Sequence, residues 1–103
     1  MSELIKLTKV SELPPEGEAR EFETNGKAIC VANTGDGYAA MDNVCVHRGG
    51  PLGQGVIDGN KVICPWHGWT FDANTGVCMH NSEVRVAVYP LKIEGEDVLI
   101  SID

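Results

Sequence analysis

Two short stretches hold the residues that could do chemistry. "NVCVHRGG" pairs Cys45 with His47, and "CPWHGWTFD" pairs Cys64 with His67. Sixteen residues separate the pairs, giving the pattern Cys45-x-His47-x16-Cys64-x2-His67. Neither pair alone holds a metal firmly, but together they supply two thiolates and two imidazoles. Zinc accepts such a set, although its familiar finger spacing keeps the cysteines together and the histidines together. Here each stretch offers one of each. A two-iron, two-sulfide cluster can use that arrangement, with each stretch giving its Cys to one iron and its His to the other. A structural zinc module is the competing reading from a different class.

The same residues, with Pro65, Gly68 and a closing Asp72, resemble the signature of Rieske-type [2Fe–2S] proteins. In that cluster two histidines replace two cysteines on one iron. The resemblance spans essentially the whole chain, because its length and β pattern also fit a soluble Rieske ferredoxin. It implies one [2Fe–2S] cluster per chain, held by Cys45, His47, Cys64 and His67. It also implies an all-β, Rieske-like fold of small antiparallel sheets. A cluster-binding lobe at about residues 43–82 would be inserted in a β base made by both ends of the chain. The cluster is expected near the tip, with the imidazole edges closest to solvent.

The resemblance narrows the function as well. Rieske oxygenases also need a mononuclear iron, usually held by two His and one carboxylate. After His47 and His67 are used, only His80 remains in this sequence, so the chain reads as an electron carrier and not as an enzyme. Respiratory Rieske proteins bridge their ligand loops with two further cysteines. Gly50 and Trp66 occupy those positions here, so that disulfide is absent. The chain is similar to the ferredoxin components of bacterial aromatic ring-hydroxylating dioxygenase systems. They carry single electrons from a flavin reductase to a terminal oxygenase. The alternative within the family is the small Rieske subunit of an assimilatory nitrite reductase, with the large subunit as partner. High-potential members carry His-Gly-Ser-x-Tyr after the second ligand Cys. Here the run is His67-Gly68-Trp69-Thr70-Phe71, without either hydroxyl. The expected potential therefore lies in the low part of the Rieske range, near about −150 mV.

The residues around the ligands have their own readings. Gly49, Gly50, Gly53 and Gly55 let the first loop curl close and turn N–H groups toward sulfur. Pro51 and Pro65 stiffen the two loops. Trp66 and Trp69 flank His67 and either shield the cluster, meet a partner or simply pack. Arg48 is read as solvated or on a docking rim. Cys30, inside "AICVA", reads as a small core hydrophobe. Cys78 and His80 are surplus to a set of four ligands. Many Rieske proteins carry a proline in a third covering loop, and none lies between Asp72 and Tyr89 here.

The elements that must position these loops read as β. "IKLTKV" alternates from Ile5 to Val10, while "KAICVANT" is a continuous apolar run suited to a strand buried on both faces. Gly35-Asp36-Gly37 signals a hairpin into "GYAAMD". "SELPPEG" suggests a turn or one helical turn. Val84, Val86 and Val88 alternate and predict a strand, and the chain then turns at Gly95 and leaves through Val98 and Ile100. Pro90 is expected at an edge or bulge, because it has no N–H for a ladder. No convincing amphipathic helix is present.

Composition bounds the rest. At 103 residues the chain is the size of one domain, spanning 1–103. A net charge of −7 argues against nucleic acid and against anionic membranes, and favours a basic protein partner. The N-terminal "MSELIKLTKV" shows no cleavage site or twin-arginine signal, and there is no apolar run of about 18 residues. The expected setting is soluble and cytoplasmic. Four cysteines in such a reducing compartment suit ligands or thiols better than a disulfide framework.

Overall fold

The apolar run near residue 30 forms the middle of the molecule. The computed structural model describes residues 4–24, 26–44, 50–66, 68–81 and 83–101. The run is strand β3 (Lys27–Asn33), paired antiparallel with β2 (Ala19–Thr24) on one side and β4 (Tyr38–Asp42) on the other. Strands alternate their side chains between faces, so an unbroken apolar run serves two cores at once. Ile29 and Val31 enter one buried cluster, and Cys30 and Ala32 enter the other.

The first cluster lies toward the sheet made by the chain ends. Here β1 (Leu4–Lys9) and β9 (Leu91–Glu94) flank β10 (Asp97–Ser101), all antiparallel. Val98 and Ile100 pack with Ile29, Val31, Ala40 and Leu13. The register of β1 against β10 shifts between Lys6 and Thr8, a bulge that adds local twist. The second cluster lies toward a third sheet of three-residue strands, β5 (Val56–Asp58), β6 (Lys61–Ile63) and β7 (Thr70–Asp72). Val62 and Phe71 from that sheet, with Leu52, Cys64, Cys78 and Val86, meet Cys30, Ala32 and Met41 from the central sheet. The central sheet is thus covered on both faces, by the terminal sheet and by the segment that carries the Cys/His pairs.

The expected hairpin between β3 and β4 forms, with Asn33 opposite Tyr38. Residues 10–12 make the single helical turn anticipated near "SELPPEG", as a 3-10 turn, and a second one spans Leu52–Gln54. No α-helix occurs among the described residues. Pro90 sits where the chain leaves β8 (Val88–Tyr89), at the end of the central sheet, for β9 in the terminal sheet. Its missing N–H falls between two ladders, and its carbonyl accepts from Ser101 N–H at 3.1 Å.

One expected strand is corrected. Residues 84–88 do not form a continuous strand, and only Val88–Tyr89 pairs, with β4. The alternation of valines arises otherwise. Cys78 N–H donates to Val84 O at 2.8 Å and Val86 N–H to Gly76 O at 2.9 Å, so this segment pairs with the turn after β7. Of the three valines only Val86 is fully buried.

Candidate metal centre

Of the four expected ligands, Cys64 is described; Cys45, His47 and His67 lie outside the described residues, as do Arg48 and Gly49. So does the expected exposure of the imidazole edges. Cys64 directly follows β6 and is buried, and its N–H donates to Trp69 O at 2.7 Å. That bond ties Cys64 to Trp69 across the connection between β6 and β7. Gly68 holds φ at +72°, which an L side chain rarely adopts, so a glycine at this position has a backbone reason. Thr70 Oγ1 donates back to Gly68 O at 3.2 Å.

The first stretch reaches the same place. Gly50 is buried, and a Cβ built on it would lie 2.7 Å from Cys64 Sγ and 3.0 Å from Trp66 Cγ. The bare main chain therefore passes directly against the thiol of the second stretch. The two positions that carry the bridging cysteines in respiratory Rieske proteins, 50 and 66, are in contact here, and the indole takes up the space. Val44 forms a bridge with Pro51, so the chain leaves and re-enters at neighbouring points. Two sequence-distant stretches converge on one buried sulfur with a glycine main chain against it. A buried thiol met by bare main chain fits a thiolate ligand of an iron–sulfur cluster.

Below this loop lies a polar group that the sequence reading missed. Asn43 Oδ1 accepts from Gly53 N–H at 2.6 Å, and Asn43 Nδ2 donates to Glu21 Oε2 at 2.6 Å. Gln54 Nε2 donates to Glu21 Oε1 at 3.0 Å. The hydrogen bonds from Gln54 and then Asn43 hold the Glu21 carboxyl below its ordinary range, outweighing a smaller opposing effect of burial. A Cβ on Gly53 would overlap Glu21 Cγ, so only glycine lets this approach occur. Asn43 stands two positions before Cys45, which is the one sequence signal available. Glu21 is 22 positions from it, and nothing local links them.

Cys30 takes the core place that its apolar run suggested. Cys30 is fully buried, and burial, with Glu21 adding to it, pushes its thiol up to about 12, so it stays protonated and inert. Cys78 is buried against Phe71 through a bridge between their main chains. His80 is exposed. The two tryptophans divide: Trp69 packs on the core, while Trp66 remains 49% exposed.

Comparison with known proteins agrees with this geometry. Residues 3–90 match the Rieske [2Fe-2S] domain. The ferredoxin component of a naphthalene 1,2-dioxygenase system from Pseudomonas aeruginosa is 31% identical over 90 residues, covering 85% of this chain and 86% of its own. The solved ferredoxin of carbazole 1,9a-dioxygenase from Nocardioides aromaticivorans IC177 superposes with a TM-score of 0.85 at 25% identity, covering 97% and 98% of the two chains. A ferredoxin solved in complex with its oxygenase, from a carbazole 1,9a-dioxygenase, gives 0.82 at 26% identity, covering 95% of this chain and 92% of that one. By the match over residues 3–90, and by a fold shared from end to end, this chain belongs to the Rieske [2Fe-2S] domain family.

Proposed function

We propose that this chain is the electron-carrying ferredoxin of a multicomponent oxygenase system. It takes single electrons from a flavin reductase and passes them to a terminal oxygenase. The observation that carries the reading is the end-to-end likeness to a ferredoxin solved with its oxygenase. The [2Fe–2S] cluster supplies the one-electron redox couple. Cys45, His47, Cys64 and His67 hold it, within a cluster-binding lobe at about 43–82 of a single domain, 1–103. The chain's own contribution is to bury the Cys64 sulfur, to bring a side-chain-free main chain against it, and to leave Trp66 at the surface beside a ligand. No group in this reading transforms a substrate, so the chain is not itself an enzyme.

The experiment has two arms. Protein purified anaerobically from iron-replete cells is expected to hold about two irons and two acid-labile sulfides per chain. Cys45→Ala, His47→Ala, Cys64→Ala and His67→Ala each abolish the native cluster, and Cys30→Ala and Cys78→Ala retain it. One zinc without sulfide overturns the cluster, and loss of the cluster in Cys78→Ala overturns the choice of ligands. In the second arm the reduced protein is mixed with a terminal oxygenase or with a nitrite reductase large subunit. Oxidation by the oxygenase alone is expected, and oxidation by the nitrite reductase alone assigns the other system.

A further inference from the structure

We propose that Asn43, oriented by Glu21, is a positioning residue for the first ligand loop. This inference rests on Cys45 and His47 being ligands. The five residues 45–49 begin one position after Val44 and end one before Gly50. Asn43 ties both ends of this segment together. Its N–H donates to Ala28 O at 3.0 Å, which fixes it to the central sheet. Its carbonyl accepts from Leu52 N–H at 2.8 Å, and its side-chain oxygen accepts from Gly53 N–H at 2.6 Å. One residue before the loop thus receives two consecutive N–H groups after it.

The amide has one usable orientation. Gly53 N–H can only donate, so Oδ1 must face it, and Nδ2 must face Glu21, whose carboxylate can only accept. Glu21 takes a second donor from Gln54, the next residue along the returning chain. Asn43 is only 6% exposed, so water cannot readily replace these bonds. The clip closes a few residues from Gly50, where the main chain meets Cys64 Sγ. Letting go of it frees the first ligand stretch to move relative to the second. The two pairs must hold one cluster jointly, so such slack appears at the metal and not only in the unfolding temperature.

Asn43→Asp tests this with almost no change of shape. The Asp can still accept from Gly53 N–H, but its other oxygen meets the Glu21 carboxylate where a donor stood. Glu21→Gln in the same chain restores a donor to that contact. Iron release to a chelator, the visible circular dichroism of the cluster and its reduction potential are read on wild type, Asn43→Asp, Glu21→Gln and Asn43→Asp/Glu21→Gln. Asn43→Asp is expected to release iron about tenfold faster or more, the scale of one buried hydrogen bond turned to repulsion, with an altered dichroism spectrum. The double variant is expected to return to within about twofold of wild type, a coupling that only directly interacting residues show. Glu21 is at the surface, so Glu21→Gln alone folds and gives a mild form of the same change. If Asn43→Asp lowers only the unfolding temperature, with iron release, dichroism and potential as in wild type, the residue is merely structural and the proposal fails. It fails equally if the double variant shows no rescue. A wild type without a two-iron cluster overturns the ligand reading, and this proposal with it.

Discussion

At the scale of single residues, Phe71 and Tyr89 show opposite uses of an aromatic ring. Phe71 is fully buried in the same apolar cluster as Cys64, and it stands where high-potential members of the family carry a tyrosine. A hydroxyl there would donate toward sulfur, and such bonds favour the reduced, more negative state. The expected wild-type potential is near about −150 mV, and Phe71→Tyr raises it by tens of millivolts, the scale of a charge-assisted hydrogen bond. Voltammetry decides: a wild type above about +100 mV, or an unmoved Phe71→Tyr, overturns this reading of position 71. Tyr89 does carry a hydroxyl, and it donates to Asp42 Oδ1 at 2.6 Å, tying β8 to the end of β4. Burial, then the Asp42 hydrogen bond and charge, push its pKa from 10.0 up to about 12. The folded state therefore keeps the proton longer than the unfolded state. This stabilisation is fully present below pH 10 and is lost as pH rises through about 12. Denaturant titrations are expected to show stability falling over that window in the wild type and a shallower fall in Tyr89→Phe. Equal slopes would remove Tyr89 as the cause.

At the scale of elements, close approach of main chains sets what the loops tolerate. Gly76 and Gly59 both hold positive φ, at +78° and +62°. A Cβ on Gly76 would overlap Val86 O, whereas one on Gly59, in the turn between β5 and β6, meets nothing. Gly59→Ala should therefore cost only the backbone strain, about 1 kcal/mol, and Gly76→Ala clearly more, because Val86 must also give way. Thermal unfolding of the two variants checks this, and equal losses would mean that the contact is relieved by a small shift. The same contrast explains what was legible in the sequence. The continuous run of β3, the hairpin to β4 and the alternation of β10 were readable because each strand is long enough to show its period. Strands β5, β6 and β7 have three residues each, too few for a pattern to declare itself. Strand β2 hid because Arg20, Glu21 and Glu23 leave this edge strand mostly polar, without a clear apolar alternation. Val84 and Val86 mimicked an extension of β8 because an isolated bridge to the turn after β7, not a ladder, holds that segment. The Cys/His pairs stand out in the sequence because metal-ligand chemistry restricts residue type, and of the four the structure describes Cys64. The Asn43–Glu21 clip was not, since a hydrogen bond across 22 positions leaves no local trace.

At the scale of the whole molecule, a carrier must find its partners quickly and leave them quickly. The net charge of −7 favours encounter with basic surfaces on its partners. Close contact is a separate matter. Val44 and Trp66 are 54% and 49% exposed, one beside each Cys/His stretch, and each offers apolar contact there. Charge acts at long range and is screened by salt, while apolar burial acts on contact and is not. The two contributions therefore separate in kinetics. Raising ionic strength from about 0.1 M to about 1 M shortens the screening length from about 10 Å to about 3 Å. The second-order rate of electron transfer to the oxygenase is expected to fall about tenfold or more over that range, as for a steered association. Trp66→Ala leaves the charge unchanged, so the slope against salt should persist. Its effect belongs to dissociation, weakening the complex by about 1–2 kcal/mol as a half-exposed aromatic anchor does. Stopped-flow mixing of reduced protein with excess oxygenase measures both. A salt-independent rate in the wild type would assign encounter to apolar contact alone. A Trp66→Ala variant with an unchanged dissociation rate would move the docking surface away from Trp66.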